Sequence, residues 1–240
     1  MKSKISPTIS SFLIIILFAL LSLSCGDEQE TVDPQAVPKH SDSFTFFDIG
    51  KNSILSSNLR RDLNKALGDV SIEPRNILDL EINYQGFLKR YFPELDKLNQ
   101  DLNSPPGERV EHRTLKLMYR YPRKKNAPFN YVELVFSEYT QTPVLIRIHF
   151  KKDDQNTIET LKEKYGPPEV INWSEESGKS LYWRKNGDLL ILSFVPDQFG
   201  NPTYQIGIYF TKELEELLRV ERTEKQKTRQ ERTKSGKTAF

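Results

Sequence analysis

Between residues 115 and 210 the chain alternates apolar and polar positions with a period of two. Leu115, Leu117, Tyr119 and Tyr121 alternate with Lys116, Met118 and Arg120, and the pattern returns at residues 132–137 and 144–150. Such alternation predicts half-buried antiparallel strands, one face on a core and the other mostly wet. Three more strands are expected at residues 180–184, 189–195 and 204–210. Asn186-Gly187 is a hairpin turn between the first two. Residues 189–192 are apolar on both faces, which predicts a central or covered strand.

Helical spacing dominates elsewhere. Leu59, Leu63, Ala66 and Leu67 share one face of a helix over residues 57–67, stopped by Gly68. From Ile77 to Leu102 the spacing of Ile77, Leu80, Tyr84, Phe87, Leu88 and Tyr91 predicts a long helical stretch, broken at Pro93. Asn156 with Glu159 three residues on reads as a capping box for a helix carrying Ile158, Leu161 and Tyr165 and stopped at Gly166. Thr211 reads as the cap of a final helix with Leu214, Leu217 and Leu218. Residues 44–50 read as a short opening strand. The expected fold class is α+β: an antiparallel sheet with helices, built as two similar helix-plus-three-strand halves.

The amino terminus has a different pattern. Lys2 and Lys4 precede an apolar run of about a dozen residues from Phe12 to Leu23, the layout of a signal peptide. The run is shorter than the roughly 20 residues a membrane-spanning helix needs. It ends at Cys25, the one cysteine of the chain. Leu21-Ser22-Leu23-Ser24-Cys25 resembles the bacterial lipobox, with small Ser24 before the cysteine. It departs from it at Ser22, where the lipobox prefers Leu. The resemblance implies cleavage before Cys25, lipidation of its thiol and a multi-acyl anchor in a bacterial membrane, stable where one chain is not. Under the Gram-negative sorting rule, Gly26 rather than Asp after the cysteine favours the outer membrane, facing the periplasm.

The expected organisation is a signal peptide at 1–24, a lipidated cysteine and flexible tether at 25–43, an α+β domain at 44–220 and a basic tail at 221–240. The tether is polar with Pro34 and Pro38 and has a reach of about 25 Å. The order of helix, glycine and strands on an exported chain is loosely similar to the BamE/SmpA-like envelope lipoproteins. That similarity lies in pattern and assigns no functional residue.

Composition narrows the partners. Lys and Arg number 35 against 33 Asp and Glu, a formal +2. That balance argues against a nucleic-acid binder, which needs a basic excess to displace counterions. The excess is local: residues 219–237 hold eight Lys or Arg against Glu221, Glu224 and Glu231. That segment reads as a fraying helix or disordered tail, solvated or in contact with anionic headgroups or phosphates. The expected partners are membrane lipid through Cys25 and an envelope protein or anionic envelope polymer.

Catalytic chemistry leaves no motif. There is no Gly-x-Ser-x-Gly, phosphate loop, dinucleotide fingerprint, His-Glu-x-x-His or calcium loop. His40, His112 and His149 lack metal spacing and read as solvated; no cofactor or metal is expected. Asp79 with Glu81, expected on a helix and pointing apart, and Asp153 with Asp154 read as solvation and capping. Tyr119, Tyr121, Phe129 and Tyr131 crowd a basic turn. Aromatics at this period are commonly core, yet Tyr and Arg are enriched where binding energy concentrates. The candidate binding residues are therefore Arg120, Arg123, Lys124, Lys125 and Tyr131. The expected function is a non-catalytic binding or assembly module. The alternatives are a lipid-anchored hydrolase or transferase, marked by a pocket uniting a histidine with carboxylates of raised pKa, and a plain spacer, marked by no pocket.

Overall fold

The computed structural model describes residues 42–120, 129–150, 156–173, 178–196 and 202–238. Cys25, His40, the basic turn Arg123, Lys124 and Lys125, and Asp153 with Asp154 lie outside the described residues.

The chain runs through α1 (Ser57–Leu67), β1 (Ser71–Asn76), α2 (Phe87–Tyr91), α3 (Pro93–Leu102), β2 (His112–Arg120), β3 (Tyr131–Ser137) and β4 (Pro143–Phe150). It continues with α4 (Thr157–Tyr165), β5 (Glu169–Asn172), β6 (Lys179–Lys185), β7 (Asp188–Pro196), β8 (Pro202–Tyr209) and α5 (Thr211–Thr238). The strands form one eight-stranded sheet ordered β1-β2-β3-β4-β8-β7-β6-β5, antiparallel throughout. The fold is α+β, as the alternation predicts. Asn186 (φ 52°) and Gly187 (φ 95°) make the β6–β7 turn, the backbone that an Asn-Gly hairpin favours.

Both faces of the sheet's middle are covered, which corrects the expectation of a wet face. On one face Leu117, Val132, Leu134, Ile146, Ile148, Leu190 and Ile208 pack with Leu63 and Leu67 of α1 and with Ile158 and Leu161 of α4. On the other, Val135, Leu145, Leu189 and Tyr209 pack beneath Phe87, Leu88, Leu95, Leu98, Leu214 and Leu217 of α2, α3 and α5. Each β7 residue from Leu189 to Leu192 is buried, as its two-sided apolarity requires. Tyr119 is wholly buried and belongs to the core.

Other expectations fail for local reasons. Residues 77–86 are not helical. Leu78, Leu80 and Ile82 are buried while Ile77 is 46% exposed. The stretch is therefore an extended strap whose period of two competes with the helical spacing. Helix begins at Phe87, and Pro93 at the first position of α3 closes α2. Residues 44–50 form only a tight bridge between Phe46 and Ile49, turned by Phe47 and Asp48 at positive φ. Asn156 is left-handed and makes no side-chain cap. Thr211 sits inside α5 and donates its hydroxyl to the Gly187 carbonyl, 2.8 Å. The charged tail is no fraying end: α5 runs 28 residues to Thr238, exposed from Arg222 to Lys234. Among the described residues no helix is long and apolar enough to cross a membrane.

Candidate functional site

On the face carrying α2, α3 and α5, the sheet changes character within four residues. One cross-strand row is Val135, Leu145, Tyr209 and Leu189, and the helices cover it. The next is Glu133, Arg147, Gly207 and Ile191. The third runs Arg120, Tyr131, His149, Gln205, Ser193 and Ser180 across six strands in register. Directly opposed residues share a face, so this end of the sheet presents a polar floor.

The strap closes over the floor's edge and is pinned there. Tyr209 donates its hydroxyl to the Leu80 carbonyl, 3.0 Å. Its ring lies over Gly207, where an added Cβ would sit 2.7 Å from the phenol oxygen. Arg147 Nη2 donates to the Asp79 carbonyl. Asn99 Oδ1 accepts from Leu80 N–H, 2.8 Å, and Asn103 Nδ2 donates to the Leu78 carbonyl, 2.9 Å. Asn83 Nδ2 donates to Ser180 Oγ, 3.2 Å; the same oxygen accepts from Trp173 Nε1, 2.9 Å, and meets Ser193 Oγ at 2.7 Å.

Strap and floor bound an open cleft of about 1000 Å³, with Asp79, Glu81, Asn83, Tyr84, Arg147, His149 and Gln205 in its lining. Asp79 and Glu81, expected to point apart on a helix, are thus brought to one site. Burial raises the Glu81 carboxyl above its ordinary value, against hydrogen bonds from the Gly86 and Leu88 N–H groups and with help from the charges of Asp79 and Asp96. Its Oε2 and the Oδ1 of Asn83 are buried and accept no hydrogen bond among the described residues. Burial and the neighbouring Arg147 charge lower His149, which outweighs the pull of Glu133. Both effects favour the neutral imidazole.

Beside it, Tyr131 donates its hydroxyl to Glu133 Oε2, 2.5 Å, and Glu133 Oε1 accepts from Arg147 Nη1 at 3.4 Å. Burial first, and then this bond, push the Tyr131 phenol up. The His149 ring meets Tyr131 edge-on at 5.5 Å, and the Arg120 guanidinium lies 5.8 Å from the Tyr131 ring centre. Of the candidate binding residues, Arg120 and Tyr131 thus fall on one row. Glu133, Gln205 and Asn83 were not among the candidates. The signal for the first two was the coincidence of polar residues at the same end of three neighbouring strands.

A second polar cluster is sealed. His112, expected to be solvated, is 1% exposed. Its Nδ1 meets Glu221 Oε2 at 2.8 Å and its Nε2 meets the Leu102 carbonyl at 3.0 Å. Both ring nitrogens thus face an oxygen that can accept a hydrogen bond. Glu221 Oε1 also accepts from Arg113 N–H, 2.8 Å. Burial alone would raise Glu221; the His112 and Arg113 bonds and the His112 charge outweigh it and hold the carboxyl below the usual glutamate range. The cluster ties α5 to β2 and to the end of α3. Among the described residues no group of three or more His, Cys, Asp or Glu is placed to hold a metal ion. Set against protein-family models, curated proteins and solved structures, the chain matches none of them.

Proposed function

We propose that the chain is an exported bacterial lipoprotein, held at a membrane by acyl chains on Cys25, whose α+β body is a non-catalytic binding or assembly module. One observation carries the anchor: the sole cysteine stands directly after the apolar run, behind Ser24. Outer-membrane placement facing the periplasm follows from Gly26 under the same resemblance. The body's role draws support from the open cleft, which a plain spacer does not need. The exposed Lys and Arg of α5 offer contact to anionic headgroups or an anionic envelope polymer. We read the body as two similar halves, since α1 and α4 both end on a positive-φ glycine and each precedes a run of four strands whose last members, β4 and β8, pair together.

The test is Cys25→Ser followed by fractionation of cells. Loss of the protein from the membrane fraction supports the anchor; unchanged retention contradicts it.

The hydrolase or transferase alternative has one observation in its favour. A neutral His149 and the raised carboxyl of Glu81 line the same cleft, the pairing from which general acid–base work is built. It predicts turnover of a bound ligand that Glu81→Gln abolishes while binding persists. The binding module predicts release of the ligand unchanged.

A further inference from the structure

The groups left over in the cleft have a definite chemistry. The Gln205 side chain and the ring nitrogens of His149 line the cleft and have no side-chain hydrogen bond among the described residues, and Asn83 Oδ1 and Glu81 Oε2 are buried acceptors without a donor among those residues. A neutral imidazole and an amide each offer both a donor and an acceptor. Hydroxyl groups, which also do both, match them in either direction. Tyr84, 37% exposed, supplies the other half of such a site. Its ring is propped edge-on by Phe87 at 5.5 Å and tilted against Trp173 at 5.5 Å, so its pose is fixed at the cleft's rim and an open part of it can stack.

Other ligand classes fit worse. An anion would meet Asp79, Glu81 and Glu108 in the lining, while Arg147 is already committed to Glu133 and the Asp79 carbonyl. An apolar chain would desolvate Asn83, His149 and Gln205 in the lining. An extended peptide would find the face of a sheet whose main-chain groups are held in ladders, since the edge strands β1 and β5 lie outside the cleft lining. Small-molecule sites commonly span roughly 300–1,000 Å³, so a cleft of about 1000 Å³ holds more than one ring.

Building on the binding-module reading, we propose that this cleft binds a neutral oligosaccharide, one ring stacked on Tyr84 and its hydroxyls paired by His149, Gln205 and Asn83. The test titrates the full chain, in a detergent without a sugar headgroup, with triacetylchitotriose, cellotriose and maltotriose. Dextran sulfate and trilysine serve as charged probes. Calorimetry gives affinity, and the emission of Trp173, which touches Tyr84, reports the site. The expected result is saturable binding of at least one neutral trisaccharide, weakened about tenfold by Tyr84→Ala and by Gln205→Ala, with circular dichroism of both variants unchanged. Gln205→Ala carries the test if Tyr84→Ala misfolds. Binding that both variants leave intact overturns the assignment. Saturable binding of trilysine or dextran sulfate alone, lost in the variants, overturns the oligosaccharide and leaves the binding module standing. No binding by any of the five probes removes both.

Discussion

Glu221 shows how one carboxylate can organise a fold. It closes on buried His112 and on the Arg113 N–H through a partly buried bond. Removing one partner of a buried pair leaves the other charge without compensation, at a cost of about 3 kcal/mol or more. Glu221→Ala is therefore expected to lower the unfolding free energy by about that amount in urea melts. The sign of its pH dependence follows from the depressed folded-state pKa. The Glu221 contribution is fully present above the unfolded value of 4.5 and is lost as the pH falls through the folded value beneath it. The stability gap between the wild type and Glu221→Gln should thus narrow below pH 4.5; a gap that widens there contradicts the linkage. Gly207 acts through space alone. An alanine methyl there would meet the Tyr209 hydroxyl at 2.7 Å, forcing the ring off the Leu80 carbonyl. Gly207→Ala is expected to cost about 1–3 kcal/mol and to raise hydrogen exchange in the strap more than in β3.

The elements differ in how plainly the sequence announces them. The strands β2 to β4, β6 and β8 show alternation and β7 shows an apolar run on both faces, and all six are legible in the sequence. The two that were missed, β1 and β5, are the sheet's edges. Edge strands pack little: β1 is exposed at Ser71–Arg75 and carries Pro74, a residue that sheets confine to such positions. The strap's spacing misleads because Ile77, Leu80 and Tyr84 hold helical spacing while the buried set is Leu78, Leu80 and Ile82. The far end of α5 lacks apolar residues and so carries no helical signal in the sequence, yet Glu221 and Glu224 secure its middle. Glu224 accepts from the Tyr139 hydroxyl, 2.8 Å; burial first, then this bond, push Tyr139 up to about 12. Truncation after Gln226 keeps both glutamates and should leave the melting midpoint nearly unchanged. Truncation after Val220 removes both and should cost about 3 kcal/mol or more. Equal losses from the two truncations would place the packing further along the helix than these contacts do.

At the scale of the whole molecule, little of the cleft was legible. Arg120 and Tyr131 stood out by residue type, but His149, Gln205 and Asn83 come together only through the register of β3, β4 and β8 and the path of the strap. Sequence spacing along one strand cannot show which strands become neighbours. The strap's loss of helix also turned Asp79 and Glu81 from surface charges into lining. The anchor is the reverse case, because a short apolar run ending at a cysteine is a local signal that needs no tertiary structure. The proposal therefore joins two independent parts, a lipid-bearing thiol and a body with a polar cleft. Intact-mass measurement of the mature protein from its native membrane tests the first part most directly. The predicted result is a chain whose first residue is Cys25, carrying the added mass of fatty acyl groups. A chain that starts elsewhere, or that starts at Cys25 without acyl mass, would contradict it.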